Sequence, residues 1–140
     1  MVDTFGDHDQ KCGLDNKLRI NTHTQISKAI ANLAHYATQG CTIVESSHCF
    51  LLGNPASGDR LDILVEPGTP QCIGIDVVVT HPVSAHLTNI EASIPGRMVE
   101  EKATDKRSHY SQLCHSNNIT FVAGALETGG RFCKEFRNYL

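Results

Sequence analysis

The sequence predicts an α/β fold, a mixed sheet of about four strands flanked by helices. One long amphipathic helix precedes a group of three short β-branched segments. The periodicity then alternates between helix and strand, and turn chemistry separates the segments. The 140 residues carry 40% hydrophobic content, enough for one packed core without disulfide or metal staples. Residues 22–140 are expected to be that domain, with residues 1–21 as a polar lead, either disordered or the remnant of a zinc-type module.

The first helix is read from Ile26, Ala29, Ile30, Leu33, Ala34 and Ala37, which recur at helical spacing with Asn21 or Thr22 as N-cap and Gly40 as the stop. Three strands should follow, CTIVES (41–46), RLDILV (60–65) and CIGIDVVVTH (72–81). The turn-forming stretches NPASGD and EPGTPQ separate them. The short second turn predicts an antiparallel hairpin, and the unalternated IDVVV predicts a central strand covered on both faces. A second helix is expected within 96–115, burying Val99, Ala103, Tyr110 and Leu113. NITFVAGAL (118–126) reads as the fourth strand, ETGG as a turn shaped by Glu127, Gly129 and Gly130, and RFCKEFRNYL as a terminal helix.

Fifteen acidic residues against 12 Lys plus Arg argue against a general polyanion coat, but leave room for a local basic groove from Arg97, Lys102, Arg107, Arg131, Lys134 and Arg137. No apolar stretch approaches the ~20 residues that span a bilayer, and the acidic start does not resemble a signal peptide. The expectation is therefore an intracellular protein that does not enter the membrane. The six cysteines are scattered along the chain, which fits reduced thiols better than a disulfide framework.

Asp62 within RLDILV and Asp76 within IGIDVVVTHP stand in aliphatic surroundings. A carboxylate there must be paired, hydrogen-bonded or holding a cation, and two brought together call for a divalent ion. A hairpin could place both on one Mg²⁺, whose preference for hard oxygen suits carboxylates and water. With Lys106 as a third member to orient water and offset phosphate charge, the set describes metal-assisted phosphodiester hydrolysis. The bland alternatives are a buried salt bridge at Asp76, pairing of Asp62 with Arg60, and a solvated Lys106.

These residues, in this order, resemble the PD-(D/E)XK, or restriction-endonuclease-like, nuclease superfamily. The resemblance is closest to the endonuclease domain of non-LTR retrotransposon and reverse-transcriptase-associated proteins. RLDILV stands where that family has RPDI, with Leu61 in place of the proline. IDVVVTHP stands at its DV-type strand, and KRSHY (106–110) at its KxxKY, with His109 in place of the second lysine. Val78 occupies the superfamily's usual lysine position, so the role moves to Lys106. DTFGDHDQKC (3–12) is similar to the trailing half of the family's zinc module, with His8 and Cys12 at ligand positions. The leading CxxC is absent, so zinc is not expected here. THTQI (22–26) matches the helix start after that module and aligns His23 with the family's histidine, which the residue pattern reads as a helix-start residue.

The resemblance implies a restriction-endonuclease-like core and a metal-dependent endonuclease that nicks DNA for retroelement insertion in the nucleus. Asp62, Asp76 and the main-chain carbonyl of Val77 would hold Mg²⁺ or Mn²⁺, and Lys106 would act on the water. Glu45, Lys102 and Tyr110 would be auxiliary. The implied partners are DNA and the other domains of a larger polyprotein, with a homodimer as a further expectation. Two other readings remain open at the level of sequence: a catalytically silent nucleic-acid-binding or interaction domain that keeps the nuclease fold, and a small zinc-binding module.

Overall fold

A computed structural model describes residues 16–44, 60–80 and 94–140. The described elements are α1 (Asn16–Thr38), β1 (Thr42–Val44), β2 (Ile63–Val65), β3 (Ile73–Thr80), α2 (Arg97–Ser116), β4 (Thr120–Glu127) and α3 (Lys134–Tyr139). The architecture is α/β, a four-stranded mixed sheet of order β1-β2-β3-β4 with three described helices. β1 and β2 pair antiparallel, as do β2 and β3, while β3 and β4 run parallel from Ile73↔Thr120 to Thr80↔Glu127. The hairpin between β2 and β3 closes on a turn in which Gly68 takes φ 80 and Thr69 donates to the carbonyl of Glu66, from its N–H and from its Oγ1.

Strand alternation puts Ile63, Val65, Ile75 and Val77 on one face and Leu64, Gly74 and Asp76 on the other. The first set shares a buried cluster with Ile30, Ala31 and Ala34 of α1, while Leu64 joins Leu61, Cys72, Tyr110 and Cys114 under α2. The sheet thus has a helix on each face, and α2 lies across β4 and β3. The outer edge of β4 is covered by residues 131–133: Phe132 bridges Leu126, and Cys133 donates from its N–H to Ala125 O. No described helix is long and apolar enough to cross a membrane.

Several boundaries differ from the sequence reading. α1 begins at Asn16 and runs through the expected boundary at 21/22, so Asn21 and Thr22 are helical residues rather than the cap. Its C-terminus is set by Gln39 at φ 56 rather than by Gly40. Gly40 serves a different need, since a Cβ there would come within 2.6 Å of the Glu66 side chain. The buried face of α1 is Ser27, Ile30, Ala31 and Ala34, while Leu33 is 55% exposed and Ala29 and Ala37 also face outward. Small side chains let the helix approach the sheet closely, and this outweighs the larger apolar surface of Leu33. β3 is central, as expected, but only residues 74–77 are buried. Asp62 lies in a bend just before the three-residue β2 rather than within a strand. Cys72, Cys114 and Cys133 are buried free thiols and Cys41 is an exposed one. Burial raises the pKa of Cys72, and that of Cys114 to about 11, so both stay protonated at neutral pH.

Ile30→Ala should cost ~2–4 kcal/mol in urea denaturation, whereas Leu33→Ala should change stability by no more than ~0.5 kcal/mol. The reverse order would show that the outward stripe of α1 is the packed one.

Candidate active site

The site forms where β3 outruns β2. Asp62 N–H still reaches Ile75 O at 3.1 Å, but the next peptide on that side of β3, at Val77, finds side chains in place of a neighbouring strand. Its N–H donates to Asp62 Oδ2 at 2.6 Å, and its carbonyl accepts from His23 Nε2 at 3.1 Å, which requires the proton on Nε2. The same nitrogen lies 3.3 Å from Asp62 Oδ2. One bend, one strand and one helix are therefore joined at a single main-chain unit.

Asp76 projects from the opposite face, toward α2, and is 4% exposed. Lys106 Nζ stands 2.5 Å from its Oδ2. The ammonium donates to this buried oxygen and compensates its charge. One helical turn further, Tyr110 places its ring 5.7 Å from the Lys106 ammonium, within cation–π range. Its hydroxyl donates to Arg60 O at 3.3 Å, and its ring leans on Phe121. His109 packs edge-on to the same ring at 4.5 Å.

Burial raises the pKa of the Asp76 carboxyl above the usual range, and the nearby charge of Asp62 adds to the rise; contact with Lys106 and the charge of His23 oppose it without cancelling it. Asp62, Lys106 and His23 thus all lie within electrostatic reach of Asp76. Three of these were expected from sequence; His23 was read only as a helix-start residue. Its signal was the THTQI resemblance, because nothing in local spacing shows that a histidine on α1 reaches a carbonyl 54 residues away.

The other expected residues are placed as follows. The carbonyl of Val77 points into the site, in the hand of His23. Val78 is half-buried on β3. Leu61 is fully buried over Gly74, where any Cβ would collide with it. Lys102 is turned to Asp105 at 3.3 Å rather than toward the carboxylates. Glu45, His8 and Cys12 lie outside the described residues. Glu127 is the last residue of β4 and buried, 3.5 Å from Arg131 Nε.

Among the described residues no three His, Cys, Asp or Glu side chains gather as a metal-ligand set. The oxygen donors present are two carboxylates and a main-chain carbonyl: Asp76 is held by Lys106, Asp62 by the Val77 N–H and the Val77 carbonyl by His23. Carboxylate and carbonyl oxygens are the donor type that hard divalent cations take; here each is already engaged by a group of the chain. No family model, curated protein or solved structure matches the chain.

Two predictions follow from this geometry. A carboxyl whose folded pKa is raised contributes stability that is full below its unfolded pKa and lost as pH rises through the folded value. Asp76→Asn should therefore melt above the wild type at pH 7, with the gap closing as pH falls into the acid range; a variant less stable at pH 7 would contradict the burial penalty. His23→Ala leaves the Val77 carbonyl without its partner and should lose ~1–2 kcal/mol in chemical denaturation, an effect that His23→Gln should partly restore.

Proposed function

We propose that the chain is a divalent-metal-dependent endonuclease that hydrolyses DNA phosphodiester bonds, built on a restriction-endonuclease-like core of the PD-(D/E)XK type. The observation that carries this reading is the meeting of Asp62, Asp76 and Lys106 at one end of the β2–β3 hairpin. Asp62, Asp76 and the carbonyl of Val77 would hold Mg²⁺ or Mn²⁺, which when bound supplies Lewis acidity and a more acidic water.

The chain's own groups do the rest. Asp76 fixes the Lys106 ammonium, and the Tyr110 ring lies beneath it, so the cation is held while its side chain stays 32% exposed. A half-exposed ammonium in that position can orient a water and offset negative charge building on a phosphate oxygen. His23 keeps the Asp62 carboxylate and the Val77 carbonyl in fixed relation. By resemblance, the biological task is nicking of nuclear DNA for retroelement insertion, with other domains of a larger polyprotein and DNA as partners and a homodimer as the assembly. Zinc has no part in this reading.

A second reading, a catalytically silent nucleic-acid-binding or interaction domain on the same fold, is favoured by one observation. Lys106, His23 and the Val77 N–H already partner the carboxylates and the carbonyl, as in a polar network with a structural role.

Plasmid nicking with Mg²⁺ separates the two. The wild type should nick, and Asp76→Ala and Lys106→Ala should each be slower by ~10²-fold or more. Equal rates for all three would overturn the nuclease reading, and DNA binding without cleavage would favour the silent domain.

A further inference from the structure

A second charged feature lies apart from the hydrolytic site. A cleft of about 820 Å³ opens between the start of α2 and the segment leading through α3, and Arg97, Arg131, Lys134 and Arg137 all line it. Successive residues on a helix turn by about 100°. This sets Arg97 and Thr104 on one flank of α2 and Lys106 about half a turn away, so the cleft is not an extension of the carboxylate cluster.

Of the six basic residues that the sequence offered as a rim, the structure gathers four and removes two: Lys102 pairs with Asp105, and Arg107 with Glu135 at 3.4 Å. Two acidic residues also line the cleft, Glu100 and Glu101. Glu100 accepts the backbone N–H of Lys134 at 2.8 Å, an interaction that fastens α3 to α2. Arg131 has Glu127 at 3.5 Å, while Lys134 and Arg137 have no ion-pair partner among the described residues and are exposed. Lys134 and Arg137, one helical turn apart at the cleft, thus present positive charge that an anion would offset. The cleft also has an apolar wall, in which Ile94 is 50% exposed beside Pro95 and Phe132. Its volume falls in the range of small-ligand sites.

We propose that this cleft binds a nucleotide unit, with the phosphate held by Arg97, Arg131, Lys134 and Arg137 and the base laid against Ile94, Pro95 and Phe132. The unit can come from a free mononucleotide or from a single strand of nucleic acid, and stacking with phosphate neutralisation is the chemistry both share. The cleft stands independently of the nuclease reading, because no member of the carboxylate cluster lines it.

The test uses the full chain in EDTA and a fluorescein-labelled oligothymidylate read by anisotropy, with adenosine monophosphate and inorganic phosphate as competitors. The wild type should bind. Lys134→Glu combined with Arg137→Glu should weaken binding at least tenfold and lower the salt slope by ~2. Glu101→Lys should tighten binding severalfold, a gain that misfolding cannot imitate. Displacement by adenosine monophosphate at lower concentration than the strand's own nucleotide units would assign the free nucleotide as the source, and the reverse would assign the strand. Equal competition by inorganic phosphate and adenosine monophosphate would overturn the base contact. Absence of wild-type binding, or binding indifferent to the charge reversal, would overturn the cleft. Loss of nicking with cleft binding intact would count against the hydrolytic site alone.

Discussion

The peptide unit at Val77 is the constraint on which the site depends. A central strand that extends past its neighbour exposes an N–H and a carbonyl inside the protein, and such groups are rarely left without partners. Here the N–H is met by a carboxylate from the bend before β2 and the carbonyl by an imidazole from α1. That requirement fixes where Asp62 points, how far α1 must reach along the sheet, and hence which residues of α1 can be buried. The polar cluster is thus part of the sheet's own hydrogen bonding.

Asp76 adds a second constraint from the other face. Burying a carboxylate is costly even when it is paired, and its raised pKa reflects a desolvation that Lys106 only partly offsets. Holding an acidic group in that condition lowers stability at neutral pH, and ionisable groups held this way are concentrated at functional sites. Tyr110 ties the arrangement to the core beneath α2, because the ring near the ammonium also belongs to the buried cluster around Leu61 and Cys114.

Much of this was legible from residues. The apolar run around Asp76 announced a buried carboxylate on a central strand, the short turn announced the β2–β3 hairpin, and the order of segments announced a mixed sheet with helices. Lys106 was reachable from the chemistry of the set and from the resemblance of KRSHY, although spacing along α2 equally allows a solvated lysine. The buried stripe of α1 was misread because apolar size favours Leu33, whereas close packing on a sheet favours Ser27, Ala31 and Ala34. His23 was hidden for another reason: its partner is a main-chain carbonyl, and main-chain partners leave no trace in side-chain pattern. Of the six-residue basic rim four line one cleft and two do not, since charge counts cannot tell a cation facing a cleft from one already held by a neighbouring carboxylate such as Asp105 or Glu135.

α1 is a single helix of 23 residues, roughly 35 Å of stiff rod. It is clamped to the sheet by Ser27, Ile30, Ala31 and Ala34 and touches the site through His23, one turn before the clamp. Mechanically this is a lever whose fulcrum is the alanine stripe and whose short arm ends on the Val77 carbonyl. Through His23 the helix is tied to the geometry of Asp62 and Val77.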